Sequence, residues 1–243
     1  MDGGLGIIKN KGKNTMIKFD YFDEIYCVNM KHRTDRWELS KKEFEKIGIL
    51  DRVQRFDAVA DSDNPKKGFY ESHMRIVKLA YEKKLSNVLI FEDDVAFYKD
   101  MCEKKFNKSI EVLKQSDWEF YYLGGCERRI RPRKVYNRLS NEWSGEYDDS
   151  IDYLWNCKSV GWTQSYAINS SVFEYMIERY NGDLWEEIVK NNNSYLDWWY
   201  QQTFLPKTYI TIPTVTTQYD IKSDITNSTR MAKSLRLSAK DNE

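Results

Sequence analysis

The chain has 243 residues, enough for one large domain or two small ones with ample material for a core. Lys plus Arg and Asp plus Glu each number 38, so the formal net charge is zero, which argues against a dedicated nucleic-acid binder and allows at most a local basic patch. Aromatic residues make up 15%, including 8 Trp and 17 Tyr, and flat rings with polar tips suit a core or a sugar-binding cleft equally.

Residues 1–14 lack the apolar core of a signal peptide, and 1–20 read as a flexible leader. Residues 22–30 read as a first strand ending in the polar loop Lys31-His32-Arg33. Thr34 or Asp35 is expected to cap the next helix, with Trp37, Phe44 and Ile47 on one face and Gly48 ending it. A short second strand is expected over 53–59, then a loop over 61–68 broken by Pro65 and Gly68. Residues 70–84 read as an amphipathic helix with Met74, Val77 and Tyr81 along one stripe.

That helix delivers the chain to Asn87-Val88-Leu89-Ile90-Phe91-Glu92-Asp93-Asp94-Val95, an apolar run that meets three consecutive carboxylates. Four successive apolar side chains read as a strand buried on both faces. Acids at the end of such a strand call for a positive group nearby. By strand alternation Glu92 and Asp94 point one way and Asp93 the other, which pairs two hard oxygen ligands suited to Mg²⁺ or Mn²⁺ shared with a phosphorylated ligand. The plainer reading is an acidic turn capping the next helix.

Further on, a helix is expected over 106–113 and a strand over 118–123. The basic run 128–134 reads as a solvated surface loop or as a flap over an anionic ligand. Residues 136–156 give no clear pattern. A strand over 161–168, helices over 172–179 and 196–205, and a strand over 209–212 closed by Pro213 complete the pattern. The alternation of strands and helices predicts a mostly parallel α/β sheet in one domain over 21–228, followed by a polar tail over 229–243. No segment approaches a membrane span in length. Four cysteines without a CxxC, and only His32 and His73 as histidines, argue against zinc and suit a reducing, cytoplasmic compartment. The Lys-, Asn- and Tyr-rich composition would suit an AT-rich bacterial or viral genome.

Several of these pieces, in order, resemble glycosyltransferase family 25, the lipooligosaccharide and procollagen sugar transferases. Ile25 to Met30 followed by Arg33, Thr34, Asp35 and Arg36 resembles the family's "INL-x-x-R-x-D-R". Ser72-His73 resembles its "SH", and the run through Glu92-Asp93-Asp94 its "vlilEDDv". Tyr166-Ala167-Ile168 is similar to "aY-x-i", Leu196-Asp197 to "vD", and Ser223-Asp224-Ile225 to "S-D-I". Met30 departs from the family's Leu, and a basic insertion surrounds Arg131; both bear on the acceptor more than on the chemistry.

The resemblance implies a GT-A type, Rossmann-like mixed sheet flanked by helices that binds a nucleotide-sugar at the carboxyl ends of its strands. It implies an inverting hexosyl transfer from UDP-galactose or UDP-glucose to a glycan, lipid-linked or protein hydroxyl, with Mn²⁺ or Mg²⁺ as cofactor. On that reading Asp94, Glu92 and Asp224 (or Asp220) are the metal candidates. Asp197 is the base candidate, and Asn29, Arg36, His73 and Asp93 are donor-site candidates. Each has a plainer reading: Asp197 as a helix N-terminal charge, Arg36 as a partner of a neighbouring acid, His73 as a structural hydrogen-bonding residue, Asp93 as a cap. The partners implied are a nucleotide-sugar and a glycan, lipid or protein acceptor, with no nucleic acid and at most peripheral membrane contact; lipopolysaccharide biosynthesis is one setting. A non-catalytic carbohydrate- or protein-binding module and a sugar nucleotidyltransferase are the rival readings; the latter normally brings a Gly-rich phosphate loop that the first strand here lacks.

Overall fold

The computed structural model describes residues 18–98, 103–125, 131–132, 135–137, 142–144, 154–190, 196–212, 214–219 and 236–237. Residues 1–17 of the expected leader, most of the polar tail, Pro213, Cys102 and Cys126 lie outside these, as do 128–130 and 133–134 of the basic run. In chain order the elements are β1 (Glu24–Asn29), α1 (Thr34–Lys46), β2 (Val53–Asp57), α2 (Pro65–Glu82), β3 (Asn87–Glu92), β4 (Val95–Phe97), α3 (Glu103–Leu113) and β5 (Phe120–Tyr122). There follow β6 (Arg131–Pro132), β7 (Val135–Asn137), β8 (Glu142–Ser144), β9 (Leu154–Ser159), β10 (Ser165–Asn169), α4 (Phe173–Asn181), α5 (Leu184–Lys190), α6 (Leu196–Phe204), β11 (Thr208–Thr211), β12 (Thr216–Tyr219) and β13 (Arg236–Leu237).

The main sheet has the order β2-β1-β3-β10-β5-β11-β9-β6. β1 pairs in parallel with β2 and β3, and β5 with β11; β10 and β9 run antiparallel to their neighbours. The sheet is therefore mixed and mostly parallel, as the alternation of strand and helix patterns predicts. The middles of β1 and β3 are unbroken apolar runs because both faces are covered. Ile25, Cys27, Leu89, Phe91, Tyr121 and Ala167 face one core with Phe44 of α1 and Phe106, Ile110 and Leu113 of α3. Tyr26, Val28, Ile90, Phe120, Tyr122 and Tyr166 face a second core with α2, α4, α5 and α6. We call these the front and back faces. A second, small sheet, β13-β12-β4, begins where β3 ends.

Several expectations need correcting. Neither Thr34 nor Asp35 caps α1: Arg33 occupies the cap position with no side-chain capping bond, and Asp35 sits in the first turn. Gly48 does end α1, at φ +73°, with Gly48 N–H on the Glu45 carbonyl and Ile49 N–H on that of Phe44. Pro65 and Gly68 do not break the chain but open α2, since proline at the first helical position sacrifices no helical hydrogen bond and Asn64 Oδ1 accepts from Lys67 N–H at 3.3 Å. Tyr81 is 46% exposed rather than part of the buried stripe. β9, α5 and β12 carry no clear periodicity and went unread.

Candidate functional site

β3 stops at Glu92, and Asp93 and Asp94 form a tight turn into β4. Strand alternation therefore does not extend to them, and no helix follows for Asp93 to cap. Both carboxylates turn to one guanidinium. Arg36 Nη2 lies 2.7 Å from Asp93 Oδ1 and 3.1 Å from Asp94 Oδ2, with the Arg36 side chain only 8% exposed. The positive group that the acidic run demands is thus part of the chain itself.

Arg36 belongs to a polar stripe on α1. Ser40 Oγ donates to the Asp93 carbonyl at 3.0 Å, and Glu43 Oε2 accepts the Phe97 N–H at 2.6 Å. Glu43 Oε1 accepts from Tyr219 O–H at 2.6 Å, and Lys46 Nζ donates to the Phe97 carbonyl at 2.9 Å. Positions 36, 40 and 43 fall on one helical face, so α1 grips the acidic turn and β4 by one side-chain bond after another. Asn29 at the end of β1 completes the hold, its Nδ2 donating to Asp93 Oδ2 at 2.5 Å. Asn29 is 1% exposed and stands behind Asp93 rather than in the cavity described next.

In front of these residues lies a cavity of about 380 Å³ at the carboxyl edge of β1, β2 and β3. Arg36, Glu92, Asp93 and Asp94 line it, together with Val28, Met30, Ala58, Val59 and Phe69, and with His32, Asp61, Ser62 and Ser72 as further polar groups. Val28 is the cross-strand neighbour of Glu92, so apolar and charged lining meet directly. Apolar surface beside charged groups fits a ligand with a flat ring at one end and an anionic group at the other. Phe69, Asp61 and Ser62 were missed at the sequence level, because they fall in what read as a loop and the start of a helix.

Charge within the site is unbalanced. Glu92, Asp93 and Asp94 stand against Arg36, with Arg33 a weaker second cation acting on Asp93. Burial, and then the Asp94 charge, pushes the Glu92 carboxyl well up from its ordinary value. Burial likewise lifts Asp93 to about 6 against the pull of Arg36. Glu92 Oε1 is shielded from solvent and has no hydrogen-bond partner among the described residues. An orphaned carboxylate oxygen beside a second carboxylate fits a hard divalent cation, and Glu92 and Asp94 are the residues that would hold it. Among the described residues no cluster of three or more His, Cys, Asp or Glu is placed to hold a metal by itself, and Asp224 and Asp220 lie outside those residues.

His73 is not part of the cavity wall. Its ring is fully buried on the back face, stacked on Tyr166, with Nδ1 2.7 Å from the Tyr166 hydroxyl. Burial pulls it down to about 3, so it is a neutral core histidine, in keeping with the plainer reading. Asp197 does lie in the first turn of α6, as expected. Its Oδ2 accepts the Trp162 N–H at 3.2 Å, and Trp162 is held at φ +71°, an uncommon conformation for a bulky residue.

A mixed, mostly parallel sheet with an acidic turn at its carboxyl edge, helices on both faces and a cleft beside the turn is a GT-A type architecture. Residues 64–184 match the model of glycosyltransferase family 25 (LPS biosynthesis protein), and the chain belongs to that family. It is 25% identical over 154 residues to human procollagen galactosyltransferase 2, covering 52% of this chain and 24% of that protein. It is 24% identical over 176 residues to the mouse protein, covering 61% and 26%. The chain thus spans about a quarter of the length of these curated relatives. Among solved structures it is similar to a glycosyltransferase involved in the glycosylation of the major capsid of PBCV-1, at 13% identity and a TM-score of 0.46, over 78% of this chain and 81% of that one. A197 from STIV follows at 12% identity and 0.39, over 79% and 82%. No helix among the described residues is long and apolar enough to cross a membrane.

Proposed function

We propose that this chain is a metal-dependent, inverting glycosyltransferase that moves a hexose from UDP-galactose or UDP-glucose to a hydroxyl of a glycan, lipid-linked or protein acceptor. The observation that carries the reading is the cavity itself, which combines apolar lining with Arg36, Glu92 and Asp94. The base and ribose of a nucleotide suit the wall formed by Val28, Val59 and Phe69, with Asp61 placed for a ribose hydroxyl. The diphosphate then meets the acidic side, where Mg²⁺ or Mn²⁺ held by Glu92 and Asp94 would supply Lewis-acid stabilisation of the leaving group.

The chain's own residues account for the rest. Arg36 fixes the two aspartates of the turn, and Asn29 and Ser40 hold Asp93 in place. Asp197, oriented by the Trp162 N–H, takes the proton from the acceptor hydroxyl. As that proton leaves, the acceptor oxygen bonds to the anomeric carbon and the bond from that carbon to the diphosphate oxygen breaks. One carboxylate opposite the leaving group is sufficient for inversion. Acidic side chains concentrated at the donor end also explain why a nucleotide-sugar would bind only together with a cation.

Calorimetric titration tests the reading. UDP, UDP-galactose, UDP-glucose and GDP-mannose are each titrated with Mn²⁺ and with EDTA, into the native chain and into Asp94→Ala. The expected result is binding of the uridine nucleotides in Mn²⁺ alone, abolished by Asp94→Ala. A folded native chain that binds none of the four sinks the proposal.

A further inference from the structure

Two buried polar side chains, Gln164 and Tyr122, are not used by the reaction scheme above. Gln164 has no exposed surface, yet neither its Oε1 nor its Nε2 has a hydrogen-bond partner among the described residues. A buried amide left unpaired at both atoms is expensive, and native structures rarely keep one without a reason. Its surroundings show where it belongs. The Glu92 N–H donates to the Gln164 carbonyl at 3.0 Å, so the two residues are cross-strand neighbours between β3 and β10. Ser165 pairs with Phe91 and Tyr166 with Ile90, which by alternation puts the Gln164 and Glu92 side chains together on the back face. Glu92 Oε1 is orphaned too, and so is the hydroxyl of Tyr122, which sits opposite Tyr166 on β5 and hence diagonal to Gln164.

We propose that Gln164, together with the Tyr122 hydroxyl, reads the hydroxyl groups of the transferred sugar and so determines which hexose the site accepts. The inference rests on the donor reading given above. Glu92 lines the cavity; Gln164 and Tyr122 lie behind it, the Gln164 side chain one strand along and roughly 5 Å from that of Glu92, so a sugar that reaches past Glu92 meets the amide. The ligand chemistry follows from the donors and acceptors present. Gln164 offers an N–H₂ and a carbonyl, and Tyr122 a hydroxyl that both donates and accepts. Adjacent hydroxyls of a neutral polyol, each both donor and acceptor, satisfy such a set. An anion does not, because the Glu92 carboxyl stands beside it. A site built to hydrogen-bond a hydroxyl discriminates strongly against a ligand that presents it wrongly, since the buried groups are then left unpaired.

The test compares dissociation constants for UDP, UDP-galactose and UDP-glucose in Mn²⁺, for the full native chain, Gln164→Leu and Tyr122→Phe. The expected result is an affinity for UDP that stays within about twofold, with affinity for the preferred UDP-hexose lowered about tenfold or more and the galactose-to-glucose preference lost in Gln164→Leu. Gln164→Asn, which keeps the amide but withdraws it by one methylene, reports the same ratio should the leucine variant fail to fold. An unchanged ratio of UDP-hexose to UDP affinity in these variants overturns the assignment of Gln164 while leaving the donor site intact. Absence of nucleotide binding by the native chain overturns both readings together.

Discussion

Helices α1 and α2 each follow a strand of the same parallel unit, and both border the cavity, yet they are held to the sheet by opposite means. α2 packs on the back face through Met74, Ile76, Val77 and Ala80, all wholly buried, so its position is fixed by non-directional apolar contact. α1 buries only Phe44 as a large apolar residue and otherwise presents Arg36, Ser40 and Glu43 inward. Those three are directional contacts with definite partners on the acidic turn and β4. An apolar helix can tolerate small shifts with modest loss. A helix held by buried charges cannot, and this suits α1 to holding two carboxylates in a fixed relation.

The largest expected effect breaks that polar grip. Arg36→Met leaves Asp93 and Asp94 without their counterion and should cost about 3–5 kcal/mol in urea unfolding at pH 8. The loss should shrink toward pH 5. Asp93 in the folded chain holds its proton to about 6, above its unfolded value, so its contribution to stability is full at low pH and is lost as pH rises through 6. Without Arg36 that loss grows. An equal penalty at pH 5 and pH 8 would mean that charge does not hold α1.

Met74→Ala probes the apolar counterpart. It should cost about 3 kcal/mol, within the usual span for emptying a buried methionine site, and the penalty should be the same at both pH values. A pH-dependent penalty here would blur the contrast between the helices.

His73, one of the few polar groups on the buried side of α2, gives the smallest of the three effects. Its folded pKa near 3 lies below the unfolded value, so the unfolded chain takes up the proton first. The stability it permits is intact above about 6.5 and is lost as pH falls from there toward 3. Between pH 7 and pH 5 the native chain should lose about 2 kcal/mol more than His73→Gln, measured as the difference between their two unfolding curves. Parallel curves would mean that His73 is protonated in place.

How far this was legible follows from which signals are periodic. β1 and β3 could be read because a doubly buried strand is an unbroken apolar run, and the same run located the acids at the sheet's carboxyl edge. β9 and β12 could not, since Leu154–Ser159 and Thr216–Tyr219 mix polar and apolar residues without alternation. On α1 only Arg36 was read, as a donor-site candidate or the partner of a neighbouring acid; Ser40 and Glu43 have the composition of a solvated face, and only the facing acidic turn and β4 make them interior residues. Gln164 gave no signal at all, because an unpartnered amide is a property of its three-dimensional surroundings. The helix start at Asp197 was legible, and its link to Trp162 was not, since a left-handed tryptophan leaves no mark in sequence.

Gly68 carries a consequence for how this fold can drift or be engineered. A Cβ there would lie 2.5 Å from the Val59 carbonyl oxygen and 3.1 Å from the Asp61 nitrogen. Replacing a helical glycine by alanine ordinarily adds about 1 kcal/mol of stability. At this position the methyl instead pushes against the backbone of 59–61, residues that border the cavity. A stabilising design rule applied blindly to α2 would therefore reshape ligand binding from outside the binding surface. Among natural relatives, any side chain at this position should travel with compensating change in the segment after β2.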